Sequence, residues 1–304
     1  MRSRFRIRPV TLVRVVAPLA LLGLLVLAVP RSPTAAETPK GWQVGDPIVQ
    51  PLPEATPEAQ AVASAAAGLT GSLGLEGSPA PPVREQDLRT GQAYDRVEYT
   101  LADGTPGATV EVDPATGLPI LIVRYDQPEG WDTPATTPVT AADRGRGFVA
   151  AAGLPAPSGA MNVSWDEGMG SWQVSWPRTA SGYAVPGDGV FVNVFRGGQF
   201  AGLSVFDSPL AAIPVTLITP AQARSAALAA VTRSRTARGI TAATPVVEWR
   251  APNNLFDPTK SDAPDYTLVL VYRVPLTIDG DEPLSIDVFV DAGTGAVVGG
   301  AESA

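Results

Sequence analysis

Three helix starts recur along this chain at intervals near 80 residues, and a period of that length restricts the fold to a few related units packed side by side. The clearest is Thr219-Pro220-Ala221-Gln222, a capping box in which a Thr side chain accepts from the third helical amide and Gln reaches back. Pro occupies the position where a missing N–H costs nothing. The helix it opens is expected to run to about Arg235, with Gly239 beyond, and its apolar stripe of Ala223, Ala227, Ala230 and Val231 is small enough to lie close to a sheet. A second helix is read from Thr140, with Asp143 in its first turn and Gly153 as its stop. The third, from Thr56-Pro57-Glu58, is expected to end at Gly68.

Each helix is followed by strand signals that close in a hairpin. The first pairs Ala108 to Asp113 with Leu118 to Tyr125, the second Val190 to Phe195 with Gln199 to Phe206, and the third Leu284 to Asp291 with Ala296 to Gly299. One further strand precedes each, at about Arg96 to Leu101, Ser171 to Trp176 and Tyr266 to Val274. A sheet apolar on one side needs cover, and one amphipathic helix supplies it. The expected fold class is α+β: tandem units, each a helix on an antiparallel sheet, after an N-terminal apolar helix. The divisions are residues 1–30 as signal or anchor, 31–53 as a Pro/Ala-rich tether, 54–153 as a divergent first repeat with a Gly/Pro-rich insert at Gly71 to Pro82, 154–239 as the second repeat and 240–304 as the C-terminal strands.

The N-terminus carries Arg2, Arg4, Arg6, Arg8 and Arg14 before an uncharged apolar run from Val15 to Pro30. Clustered positive charge ahead of such a run marks an export signal. Sixteen residues is long for a signal-peptide core and short of the roughly 20 that a spanning helix needs. Cleavage near Ala28 or Ala36 and retention as a membrane anchor both stay open, so the protein is expected to be either membrane-anchored or secreted. Without those five arginines the exported part holds 17 basic against 30 acidic residues, a net charge of −13. A surface of that sign repels phosphate backbones, and no nucleic-acid partner is expected.

The whole chain has no histidine and no cysteine. That excludes Ser-His-Asp and Cys-His nucleophiles, His or Cys metal and haem ligation, disulfides and a lipidated N-terminal Cys.

The run Val288-Phe-Val-Asp-Ala-Gly-Thr-Gly-Ala-Val-Val298, preceded by Leu270 to Val274, resembles the closing strands of the PepSY domain. Glu111-Val-Asp-Pro-Ala-Thr-Gly117 is a poorer copy. The middle unit, with Trp172-Gln-Val-Ser-Trp176 and Gly187 to Val194, is similar to related repeats of exported bacterial proteins and of thermolysin-type protease propeptides. The resemblance implies a non-catalytic extracytoplasmic domain of the bacterial cell envelope that binds, or modulates, a protease or another protein. The His-Glu-x-x-His helix of thermolysin-type enzymes cannot exist here, so any action on a protease is in trans.

Trp165, Trp172 and Trp176 form the most unusual local cluster, an aromatic platform for a peptide or glycan strand or else packing between sheet and helix. Arg178 and Tyr183 lie in what reads as an exposed loop, and both are residue types that anchor interfaces. The acidic runs Asp279, Asp281, Glu282 and Asp257, Asp262, Asp265 match no calcium loop and read as solvated charge. No carboxylate pair is singled out among the 30 acids, so no catalytic residue, metal or cofactor is expected. The expected function is a non-catalytic module that binds a protein or peptide at the cell surface, through strand addition at an open sheet edge. Alternatives are an envelope spacer and a carrier whose tryptophans line a pocket for a small apolar molecule.

Overall fold

Alternating apolar residues and short turns build fifteen strands and three helices among residues 48–51, 57–86, 93–234, 239–256, 267–279 and 283–303, which the computed structural model describes. In chain order these are β1 (Ile48–Pro51), α1 (Pro57–Leu73), β2 (Ser78–Pro79), β3 (Val83–Gln86), β4 (Ala93–Thr100), β5 (Pro106–Val112) and β6 (Pro119–Arg124). Then follow α2 (Pro138–Ala151), β7 (Asn162–Asp166), β8 (Ser171–Ala180), β9 (Tyr183–Phe195) and β10 (Phe200–Phe206). The C-terminal part holds α3 (Pro220–Ser234), β11 (Ile240–Ala242), β12 (Val246–Arg250), β13 (Val269–Ile278), β14 (Leu284–Asp291) and β15 (Val297–Ser303). The N-terminal apolar segment lies outside the described residues; among those described, no helix is long and apolar enough to cross a membrane. β1 falls inside the stretch read as a tether.

The helices start at Pro57, Pro138 and Pro220, intervals of 81 and 82 residues. The cap of α2 is therefore Thr137, with Thr140 at the third helical position, where the two threonines exchange side-chain and backbone hydrogen bonds. At α3 the capping box forms as the sequence dictates: Thr219 N–H donates to Gln222 Oε1 at 2.8 Å and Gln222 N–H to Thr219 Oγ1 at 3.3 Å. Helix α1 runs through Gly68 and Gly71 rather than stopping at Gly68. Each glycine costs a helix about 1 kcal/mol. Burial of Val62, Leu69 and Leu73 on one face offsets that, at roughly 1.5–3 kcal/mol per side chain.

The expectation of tandem helix-on-sheet units is corrected: every strand belongs to one mixed sheet, ordered β1-β3-β4-β5-β6-β10-β9-β12-β13-β14-β15, with β2, β7, β8 and β11 attached alongside. The first and second hairpins are joined through β6 and β10, which pair antiparallel at Leu121–Ser204, Ile122–Leu203 and Val123–Gly202. The second joins the third where β9 meets β12 in parallel at Ala184–Glu248. A three-stranded unit standing alone would leave two rows of backbone donors and acceptors unpaired, and edge-to-edge pairing within the chain removes most of them.

Two hydrophobic cores lie on the sheet. The first is shared by α1, α2 and strands of both leading hairpins, with Val97, Val110, Ile122, Leu203, Val192 and Val174 running across it strand by strand. Gly145 lets α2 lie close to the sheet, since a Cβ there would stand 2.9 Å from Val174 Cγ1. The second core packs Ala223, Ala227 and Val231 of α3 against Tyr272, Val274, Ile286, Val288 and Val290. Its small-residue helical stripe is the one read from the sequence.

Candidate functional site

Strand β7 is held by β8 alone. Asn162 to Asp166 pair with Ser175 to Ser171 on one side. On the other, no backbone hydrogen bond is made to any described residue. β1, β2 and β11 likewise have one strand partner each among the described residues, whereas part of the β15 edge is closed. Along β15, Asn253 mimics a further strand: its N–H donates to Val298 O at 2.8 Å, its Nδ2 to Gly300 O at 2.8 Å, and its Oδ1 accepts from Gly300 N–H at 3.0 Å. Beyond β3 lies β1, the first strand in the sheet order.

The tryptophans meet at the free edge. Trp165 of β7 stands opposite Trp172 of β8, their rings edge to face at 5.3 Å between centroids, and the Arg196 guanidinium lies over the Trp165 ring at 5.5 Å. Both rings are half-buried, and Trp172 Nε1 has no hydrogen-bond partner. Trp176 is different: it is buried in the first core, on the face shared with Trp172 and Val174. Two open clefts of about 440 and 450 Å³ lie elsewhere, around Arg144 and Phe148 of α2, and no tryptophan lines either.

The sequence reading places Arg178 and Tyr183 in an exposed loop; the structure puts both on strands. β8 continues to Ala180, a tight turn at Ser181 and Gly182 follows with positive φ at both residues, and β9 begins at Tyr183. This arm reaches into the second core, where Tyr183 and Val185 pack and Trp249 Nε1 donates to Ala180 O at 3.2 Å. Arg178 is a clamp at its base. It pairs with Asp188 at 3.0 Å and Asp207 at 2.8 Å and donates to Ser208 O, while the buried Asp188 also accepts from Ser208 N–H and Oγ. Of the acidic runs, only Asp279 is among the described residues, where no group of three or more potential metal ligands occurs.

Sequence reasoning missed four buried carboxylates, Glu85, Asp95, Asp188 and Glu248, and two of them are related. Glu85 of β3 ion-pairs with Arg96 of β4 at 2.7 Å and accepts from the Tyr94 hydroxyl at 2.6 Å. Glu248 of β12 pairs with Arg250 at 2.6 Å and Arg273 of β13 at 3.1 Å. These pairs occupy equivalent positions. Counting back from the hairpin-turn residues Asp113 and Asp291, Val112 and Val290 face Asp95 and Tyr272. Arg96 and Arg273 come one residue later in the register, while Glu85 and Glu248 face the residue before. In the middle unit the same count, from Phe195, puts Asp166 in the Glu position and Gln173 in the Arg position, so no ion pair forms there. The usable signal was a Glu on a short strand ahead of an Arg-bearing one, recognisable only once the register is known.

Burial, and then the Glu85 carboxylate, push the Tyr94 phenol above its ordinary value. The folded state therefore holds the phenolic proton more tightly than the unfolded state. The contribution is fully present below the unfolded value near 10 and is lost as pH rises through the higher folded one. In urea titrations between about pH 9 and pH 11, the midpoint of the native chain should fall more steeply than that of Tyr94→Phe; parallel curves would show that Tyr94 is not the group responsible.

No protein-family model matches the chain, and no curated protein matches it. A solved structure does. The chain is similar to the Bacillus megaterium YpeB C-terminal domain. The alignment covers 84% of this chain and 99% of that one, at a TM-score of 0.44 and 13% sequence identity.

Proposed function

We propose that this protein is a non-catalytic module acting outside the cytoplasm, which binds another protein by adding one of its extended segments to the free edge of β7. The observation that carries this reading is that the five-residue strand β7 has its outer edge open among the described residues beside the half-buried Trp165–Trp172 pair, while Asn253 closes part of the β15 edge. Unpaired strand edges are templates for another chain, and soluble proteins usually block them. Main-chain hydrogen bonds would supply affinity, and the Trp165–Trp172 step would select an apolar residue in the incoming strand. The arginine-rich N-terminus and the apolar run behind it support an extracytoplasmic location, and the net charge of −13 in the exported part disfavours nucleic acid.

Proline substitution along β7 tests this, because neighbouring residues of a strand direct their N–H groups to opposite sides. Of Val163→Pro and Ser164→Pro, one removes an N–H aimed at β8 and loosens the hairpin. The other removes only an outward donor. The outward variant should fold normally and lose at least tenfold in affinity for the envelope partner that the native chain retains. If it binds that partner as the native chain does, the β7 edge is not the binding site.

A further inference from the structure

Between β10 and α3 the chain crosses from one core to the other, and the middle of that crossing is Ala212-Ile-Pro-Val-Thr-Leu217. Loops are normally filled by Gly, Asn, Asp and Ser, which satisfy their own backbone or tolerate unusual dihedrals. This one has none of them. Val215 stands fully exposed at 105% and Ile213 at 43%. The flanks are fixed: Ala211 N–H donates to Leu268 O at 2.8 Å and Leu268 N–H to Pro209 O at 2.8 Å, while Ile218 N–H donates to Ala292 O at 2.8 Å and Ile218 O accepts from Tyr272 Oη at 2.8 Å. Among the described residues, positions 212–217 make no backbone hydrogen bond between those anchors.

We propose that this loop is an endoproteolytic processing site, cut between Val215 and Thr216 by an endopeptidase whose primary pocket takes a small β-branched side chain. Endopeptidases bind substrate as an extended strand through main-chain hydrogen bonds, so the segment must be exposed and its own backbone unpaired. Six residues without backbone hydrogen bonds supply four positions before the cut and two after it, and only Leu217, which packs on the second core, and Pro214, which lies against Gly293, have side chains to displace. Pro214 fixes its own φ near the extended value and rules out the preceding Ile213–Pro214 bond, whose imide nitrogen carries no proton. Val215 is the most exposed apolar side chain on the segment. Hydrolysis adds water across one peptide bond, with hydroxyl going to the Val215 carbonyl carbon and hydrogen to the Thr216 nitrogen.

The cut protein would not fall apart, because Trp249 still bonds Ala180 and the Leu210–Leu268 bridge lies before the cut. What changes is the start of α3. A new ammonium at Thr216 stands three residues from the Thr219 cap, at the end of the helix that disfavours positive charge.

Two measurements test the proposal on the full chain. Pancreatic elastase, which accepts small aliphatic side chains, should cut first after Val215, leaving two fragments that co-elute in gel filtration. Val215→Asp should slow that cut at least tenfold with the thermal melt unchanged. Protein recovered from producing cells should contain a fragment whose N-terminal residue is Thr216, absent when Val215→Asp is expressed. First cleavage elsewhere with residues 212–217 intact, or recovery of uncut native chain only, overturns it.

Discussion

Gly189→Ala should destabilise the protein by at least about 3 kcal/mol and lower its melting temperature by roughly 6–12 °C. Gly189 sits in β9 at φ +134°, opposite the point where the β8–β9 register shifts between Pro177 and Arg178. A Cβ there would collide with the Trp176 carbonyl oxygen and lie 3.0 Å from Arg178 N. Both are backbone atoms inside a paired ladder, so neither can swing aside as a side-chain end would. The bulge is also what turns the arm toward the second core and brings Arg178 to Asp188 and Asp207. The damage should thus be concentrated at the junction: hydrogen exchange of β12 and of residues 178–188 should accelerate more than that of β4 and β5. Uniform acceleration would mean that the bulge does not set the arm.

Arg96→Met should cost about 3–5 kcal/mol, because it strands the Glu85 carboxylate at 1% exposure with only the Tyr94 hydroxyl as partner. The double variant Glu85→Leu with Arg96→Met removes both charges and should recover most of that loss. Equal destabilisation by the single and double variants, measured by urea unfolding, would show that Arg96 acts through packing of its aliphatic stem rather than by pairing. Arg84 is a second link in the same region. It grips the fully buried Asp95 with two bonds of 2.8 and 2.9 Å and reaches Glu58 of α1 at 2.7 Å, tying helix to sheet.

The hairpins were legible because their information is local. Val190, Val192 and Val194 alternate, a short turn follows, and the partner strand has to return alongside. The turn chemistry was equally plain: Asp291 Oδ1 accepts from Gly293 N–H, Thr294 N–H and the Thr294 hydroxyl, as an Asp-led turn requires. α2 was misplaced by three residues, since Thr137 and Thr140 both have capping chemistry and only the proline between them separates the choices. The Arg178–Tyr183 segment was misread for a related reason. Pro177, Gly182, Pro186 and Gly187 punctuate it like a loop, yet the Trp249 hydrogen bond to Ala180 and the packing of Tyr183 and Val185 in the second core hold it as an arm. β7 and β12 escaped notice because each is five residues long and carries only two apolar residues on its alternating face, Val163 with Trp165 and Val247 with Trp249, too few to stand out as a period.

The sequence by itself determined which chemistries are out of reach, through its missing histidine and cysteine, and where helix α3 and the three hairpins form. Those features depend on side-chain identity and on contacts within a few residues. The tertiary structure alone decided that β6 meets β10 and β9 meets β12, that Asn253 closes one edge, and that β7 keeps its edge open. Each strand carries the same backbone donors and acceptors whatever its sequence, so the partner it takes is set by which other segment the packed cores bring within reach.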